Sequence, residues 1–329
     1  RPMHYTSGTT GRPKGVWSGV LTEEAAAEQF RDEADLWEFS AADVHLACSP
    51  LHHSVSVRFA ASALLRGGTV LLLPRFDAEQ ARTALATEGV TTTFMVPAHL
   101  QRLGIDVAAP SLRLLAHAGA ACPEPLKRRA IASFPRGSVW EFYGATEGQF
   151  TACSTDEWEA RPGTVGKARP GRTLATDELG QVWCTPPPFG RWEYWRDPER
   201  TAAAWRGDAF TVGDLGRLDD DGFLFLDGRR DDLIISGGVN VYPAEVEAAI
   251  AAMEGVEAVA VFGVPDERWG HRVCAAVVGD VDPQAVVAHA RGRLAAYKCP
   301  KDVYCVEGLP MTSTGKVRRS AVAEALGLA

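Results

Sequence analysis

Between residues 18 and 150, short apolar segments alternate with helix-like segments of about ten residues, and this alternation restricts the fold more than any other feature. Glu23–Trp37, Ser56–Leu65, Ala78–Thr87 and Pro125–Ser133 read as helices. Val44–Ser49, Thr69–Leu73, Thr91–Val96, Leu112–His117 and Val139–Tyr143 read as strands. Strands and helices in alternation build βαβ units, so the expected class is α/β, a mostly parallel sheet with helices on both faces. Ligands on such sheets bind in loops at the carboxyl ends of the strands. Those loops hold Ser7–Gly15, Pro50–Ser54, Pro97–Leu100, Ala118–Ala121 and Gly144–Glu147.

From 151 to 228 the pattern turns to short strands with Gly/Pro turns. Asp221-Gly222, between Leu215–Leu218 and Phe223–Leu226, reads as a hairpin in a small β region. After Gly228, helices at Pro243–Ala252 and Gln284–Ala295 alternate with strands at Val256–Val264, Arg272–Val278 and Asp302–Val306. This suggests a separate small α+β domain, and a length of 329 residues suits about two domains.

Composition excludes several classes. With 46% apolar and 23% charged residues the chain can bury a core, so disorder is not its main state. A net charge of −8 with no basic block argues against nucleic acid as partner. The apolar runs fall short of the ~20 residues of a membrane span, and no charged-then-apolar leader opens the sequence. Seven scattered cysteines without CxxC spacing read as reduced thiols, which suits the cytoplasm.

The densest chemical signal is Tyr5-Thr-Ser-Gly-Thr-Thr-Gly-Arg-Pro-Lys-Gly-Val16. Glycines let backbone N–H groups approach an anion, hydroxyls donate to phosphate oxygens, and Lys14 supplies charge. It is not a Walker loop, because Gly15 follows Lys14 where that loop has Ser or Thr. Four further motifs follow in order: Tyr143-Gly-Ala-Thr-Glu147; Gly213-Asp-Leu-Gly216 with Asp221-Gly222; Gly228-Arg-Arg-Asp-Asp-Leu-Ile-Ile-Ser-Gly-Gly-Val-Asn-Val-Tyr-Pro243; and Leu309-Pro-Met-Thr-Ser-Thr-Gly-Lys316. Together they resemble the adenylate-forming superfamily of acyl-CoA synthetases, peptide-synthetase adenylation domains and luciferases. Ile234-Ile-Ser-Gly-Gly-Val-Asn240 and Val264-Pro-Asp-Glu-Arg-Trp-Gly270 are closest to benzoyl- and succinylbenzoate-type CoA ligases.

The resemblance implies an acetyl-CoA synthetase-like fold with an adenylation core at 1–228, a hinge at 229–232 around Asp231, and a mobile C-terminal domain at 233–329. It also implies a two-step reaction. A carboxylate attacks the α-phosphorus of ATP to give acyl-AMP and pyrophosphate, and the CoA thiol then displaces AMP. The implied roles are as follows. Thr6, Ser7, Gly8, Thr9, Thr10, Gly11 and Lys14 hold the β/γ-phosphates, and Thr146 touches the α-phosphate. Glu147 holds Mg²⁺ as a hard oxygen ligand. Gly119, Ala120, Ala121, Tyr143 and Gly144 flank the adenine, while Asp214 and Arg229 take the ribose. Lys316 bridges the acid and the α-phosphate where charge builds in the transition state. His52, His53, Phe94, Val96, His99, His117 and Gly144 line the acid pocket, His53 at the acyl-transfer end; His99 and His117 read equally well as core histidines. Trp269, Tyr297 and Lys301 line the CoA path.

Some positions depart from the pattern. Cys299 stands where related aryl-CoA ligases carry Arg, which keeps open transfer to an acyl carrier protein, an amine or another nucleophile. Thr211-Val-Gly-Asp214 lacks the usual Arg-Thr before Gly-Asp. Only four residues precede Tyr5, whereas most relatives have well over a hundred there. The chain therefore reads as a fragment or a compact branch, and a homodimer or another partner is expected over the sheet face this would expose. An inactive module that binds nucleotide or acyl-AMP is a third reading. It sits poorly with the joint presence of Lys14, Glu147, Asp214 and Lys316.

Overall fold

The structure is a computed structural model that describes residues 3–6, 14–104, 106–311 and 317–328. The chain divides into two compact units. The first is Arg1–Gly119, Leu126–Val212 and Arg217–Phe225; the second is Ala120–Pro125, Gly213–Gly216 and Leu226–Ala329.

The first unit opens with β1 (His4–Thr6) and β2 (Lys14–Trp17), followed by α1 (Glu23–Leu36). Then come β3 (Val44–Ala47), α2 (Ser54–Leu65), β4 (Thr69–Leu72), α3 (Ala78–Thr87), β5 (Thr92–Met95), α4 (Pro97–Leu103), β6 (Leu114–His117), α5 (Glu124–Ser133) and β7 (Val139–Glu141). Strands β3 to β7 form one parallel sheet in the order β4-β3-β5-β6-β7. The expected alternation is therefore present. Pro97–Leu100, expected in a loop, instead begins α4, with Pro97 in the first turn, where its missing N–H costs nothing. Side-chain oxygens of Thr22 and Asp77 cap α1 and α3 by accepting from Ala25 and Gln80 N–H groups. Helices α1 and α2 bury Trp37, Phe39 and Phe59 against Phe94, Leu114 and Phe142.

The chain continues through β8 (Thr151–Ala152), α6 (Thr155–Ala160), β9 (Thr164–Ala168), β10 (Thr173–Thr176), β11 (Val182–Thr185), β12 (Glu193–Tyr194), α7 (Pro198–Ala204), β13 (Trp205–Arg206), β14 (Ala209–Phe210), β15 (Asp214–Leu218) and β16 (Phe223–Arg229). These strands make small antiparallel sheets, and β15 and β16 flank the expected Asp221-Gly222 turn. Strand β12 does not stay with its neighbours in sequence. It pairs with β2, setting Tyr194 opposite Val16 and Glu193 opposite Trp17.

A buried ion cluster ties α1 to the turn after β9. Arg169, whose side chain is fully enclosed, reaches Asp32 at 3.0 Å and Glu33 at 3.3 Å, and Arg172 reaches Asp32 at 2.6 Å. The Trp37 Nε1–H donates to Glu33 at 3.1 Å. Burial pushes the Glu33 carboxyl up, but Arg58, Arg169 and the Trp37 bond outweigh it and hold the group below its ordinary range.

The second unit holds β17 (Ile234–Ser236), β18 (Val239–Val241), α8 (Pro243–Ala251), β19 (Val256–Asp266), β20 (Gly270–Gly279), α9 (Pro283–Arg291), β21 (Asp302–Cys305) and α10 (Ser320–Ala325). Its sheet order is β18-β17-β20-β19, with β21 parallel to β20. One core packs Val246, Ile250 and Val286 against Val261, Ala275 and Val277; a second gathers Val322 with Phe262, Val264 and Ala276. No helix of the described residues is long and apolar enough to cross a membrane.

Replacing Arg169 with Met leaves Glu33 and Asp32 short of a buried cation and should lower stability by roughly 3 kcal/mol. Urea denaturation checks this, and an unmoved midpoint would contradict it.

Candidate functional site

Lys14 opens β2 and pairs across the hairpin with Thr6, so the two residues flanking the glycine-rich loop lie side by side. Ser7, Gly8, Thr9, Thr10 and Gly11 fall outside the described residues, as does Lys316. Because Tyr194 sits opposite Val16, it is diagonal to Lys14 on the same face of the ribbon, within reach of long side chains. The Lys14 ammonium lies 4.8 Å from the Tyr194 ring centre and donates to its hydroxyl at 3.5 Å. That hydroxyl in turn donates to Glu147 Oε1 at 2.8 Å. The loop lysine and the acidic end of the Tyr143–Glu147 motif therefore meet through one phenol.

An aromatic chain supports this meeting point. Tyr143 packs on Phe150 at 4.7 Å between ring centres, Phe150 on Phe210 at 5.2 Å, Phe210 on Trp192 at 5.4 Å, and Trp192 on Tyr194 at 4.8 Å. Tyr143 and Glu147 are almost fully buried, and Thr146 is partly exposed in the tight turn between Gly144 and Gln149, which bridge each other. Gly144 sits so close to the Gly148 carbonyl and the Gln149 amide that a Cβ would come within 2.9 Å of both. At Gly148 a Cβ would come within 2.5 Å of the Phe210 ring.

In the second unit, Arg229 Nε donates to Asp214 Oδ1 at 3.0 Å, and the Arg230 N–H donates to the Gly213 carbonyl, so the two candidate ribose residues stand together. Gly119 ends the first segment of the first unit with φ +93°, and Gly119, Ala120 and Ala121 are exposed. The Asp231 backbone lies in a single 3-10 turn, Arg230–Asp232. Arg319 reaches Glu247 at 2.8 Å and also pairs with Asp232.

The acid-pocket candidates separate. His52 and His53 have ring centres 4.1 Å apart just before α2, where His53 is the N-cap residue. His99, on α4, stacks on Phe76 at 4.0 Å and meets Ser49 Oγ at 3.5 Å; burial and Arg102 lower its pKa to about 4, so it is neutral at pH 7. Val96 is half-buried, while Phe94 is buried against Phe59 and Phe142. His117 is fully enclosed, and its partner is a side chain, not the backbone. Lys127 Nζ lies 2.5 Å from His117 Nε2 and 3.5 Å from Glu141 Oε2. Burial first and the Lys127 charge second hold the imidazole neutral, with its pKa well below the ordinary value.

Among the CoA candidates, Lys301 Nζ lies 5.2 Å from the Trp269 ring centre, and Tyr297 is exposed nearby in sequence. Cys299 is buried in the core of the second unit, with Sγ directed to the Ala295 carbonyl at 3.5 Å.

Sequence reasoning missed Tyr194 and the pair Lys127–Glu141. Tyr194 lies in Trp192-Glu-Tyr-Trp195, outside every motif singled out above, and only the β2–β12 pairing reveals its neighbours. No group of three or more His, Cys, Asp or Glu side chains among the described residues gathers as a metal nest. Mg²⁺ is ordinarily held by one or two carboxylates plus substrate phosphates, so the single carboxylate of Glu147 beside the loop lysine fits that ion. Gly148→Ala should push against Phe210, displace the Glu147 turn and cost about 1–3 kcal/mol. A thermal melt measures it, and an unchanged melt would show that the turn yields freely.

Comparison with known proteins gives a consistent picture. The family described as AMP-binding enzyme matches residues 3–182, and the family described as AMP-binding enzyme C-terminal domain matches residues 245–316. An indoleacetate–CoA ligase of Aromatoleum aromaticum is 36% identical over 97% of this chain, which spans 66% of that relative's length. The crystal structure of ATP-bound MatB from Rhodopseudomonas palustris superposes with a TM-score of 0.87 at 32% identity, covering 98% of this chain and 67% of that one. The amide bond synthetase McbA from Marinactinospora thermotolerans superposes with a TM-score of 0.87 at 29% identity, over 98% of this chain and 69% of that one. With a family match over more than half its length, the chain belongs to the AMP-binding enzyme family.

Proposed function

We propose that the protein is an acid–thiol ligase that activates an acyl or aryl carboxylic acid with ATP, releases pyrophosphate, and passes the acyl group from acyl-AMP to the thiol of CoA. The observation that supports this reading is the meeting of Lys14 and Glu147 through Tyr194, an ammonium and a carboxylate of the kinds that a triphosphate and its counter-ion would use. Similarity to a CoA ligase over 97% of the chain supports the second half-reaction.

Phosphoryl-centre chemistry of this kind needs positioning and charge neutralisation, not a protein nucleophile. Lys14 and the hydroxyls and N–H groups from Thr6 to Gly11 bind the β/γ-phosphates and orient pyrophosphate as the leaving group. Thr146 donates to the α-phosphate. Glu147 would hold Mg²⁺, which when bound neutralises phosphate charge. Tyr143 and the Gly119–Ala121 backbone flank the adenine, and Asp214, oriented by Arg229, accepts from the ribose hydroxyls. Lys316 places its ammonium between the acid carboxylate and the α-phosphate, where negative charge gathers in the transition state. The acid lies among His52, His53, Val96 and His99. The neutral His99 presents no charge to an uncharged acyl or aryl body.

In this reading residues 229–232 are the hinge about which residues 233–329 turn between the half-reactions, with Asp231 at its centre. Trp269, Tyr297 and Lys301 then guide CoA, the lysine toward its phosphates. The cytoplasm supplies both ATP and the reducing conditions that suit its buried cysteines. Transfer to an amine or a carrier protein is the second reading, favoured by the likeness to an amide bond synthetase.

ATP–pyrophosphate exchange with a panel of carboxylic acids tests the first half. At least one acid should drive exchange, and CoA should then yield a thioester. Exchange without CoA turnover, but with amide formed from an added amine, would favour the second reading. Lys316→Ala should fold normally and slow acyl-AMP formation by about 100-fold or more, the scale of removing one transition-state charge partner. Unchanged pyrophosphate release in that variant would refute its role.

A further inference from the structure

A carboxylate kept for a divalent cation and an ammonium kept for phosphate have an intrinsic problem: each is the other's best partner. If Lys14 and Glu147 closed on one another, both would be neutralised, and the pair would have to open before the metal–nucleotide complex could enter. The phenol of Tyr194 stands between them. Its oxygen accepts from Lys14 at 3.5 Å and its proton goes to Glu147 Oε1 at 2.8 Å, while its ring lies 4.8 Å from the ammonium. The bond to Oε1 fixes the carboxylate's orientation. Among the described residues Oε2 accepts no hydrogen bond.

We propose that Tyr194 is a positioning residue that holds Glu147 and Lys14 apart and oriented, so that Mg²⁺ and the nucleotide phosphates bind to a site already arranged for them. The inference rests on the nucleotide site proposed above and goes beyond it, because the tyrosine belongs to none of the five motifs that define that site. Three features make the residue suited to the task. Pairing of β12 with β2 fixes its backbone beside Lys14. Trp192, at 4.8 Å between ring centres and 63° between planes, packs edge-on against its ring. Tyr194 is itself buried, only 6% exposed, so water competes little for the phenol.

Tyr194→Phe keeps the ring and removes the oxygen. Titrating a non-hydrolysable ATP analogue calorimetrically, with and without Mg²⁺, separates positioning from packing. The Mg²⁺ concentration needed for half-maximal tightening should rise about tenfold in the variant, the factor a hydrogen bond to a charged group typically represents. Binding of the metal-free analogue and the melting temperature should stay close to wild type. The KM for the carboxylic acid should not move, whereas general loosening of the fold would move it too. Adding Tyr194→Phe to Glu147→Gln should have no further effect on the Mg²⁺ dependence, because the bond it removes acts through that carboxylate. An Mg²⁺ midpoint equal to wild type, or equal weakening with and without the metal, would overturn the proposal. Wild-type protein that binds the analogue with no Mg²⁺ enhancement would overturn both it and the metal role of Glu147 beneath it, and wild-type protein that binds no analogue would overturn the nucleotide site as well. Mg²⁺-enhanced binding in wild type, lost in the variant, but with no acid driving exchange, would leave this inference standing and remove only the ligase reading.

Discussion

Parallel pairing of five short strands is the constraint on which the remainder of the first unit rests. Each strand must be followed by a crossover, so every carboxyl-end loop opens on the same edge, and polar residues that are scattered in sequence collect there. His117 and Glu141 end adjacent strands β6 and β7 at the same level, and the Tyr143–Glu147 turn follows directly. The sheet also fixes what stays inside. Phe94 joins Phe59 and Phe142 in the aromatic core because strand alternation leaves it on the face covered by α1 and α2.

A second constraint is the detour of β12. By leaving its sequence neighbours to pair with β2, it carries Tyr194 to the loop lysine and ties the small β region to the start of the chain. The aromatic chain from Tyr143 to Tyr194 then gives the turn holding Glu147 a rigid backing, and Gly148 is the place where that backing and the turn come so close that only a glycine fits. Rigid apolar support behind a small number of charged groups is how a site keeps its dipoles fixed before a ligand arrives.

The strands β3 to β7 were legible because buried parallel strands are short continuous apolar runs between amphipathic helices, and the periodicity changes at each boundary. Helix α4 was not, because Pro97 suggests a turn and only the structure reveals it as the first helical residue. Glu147, Asp214 and Arg229 stand out in the sequence as members of motifs, and the structure sets Arg229 against Asp214. Tyr194 was illegible for a physical reason. Its significance comes from strand pairing between residues far apart in sequence, and an aromatic among tryptophans carries no local mark of what it will face. The position of Cys299 could not be interpreted from spacing alone either. Its thiol is packed in the core of the second unit, where an extended cation would have to displace apolar neighbours.

The enclosed trio of His117, Lys127 and Glu141 has one more consequence. Its proton-bearing atoms are sealed at the carboxyl ends of adjacent strands, and burial favours an uncharged imidazole over the whole neutral range. The His117 imidazole is thus insulated from the acidity of the medium over that range. A response of the protein to acid or alkali in that range must therefore start from other side chains than this imidazole.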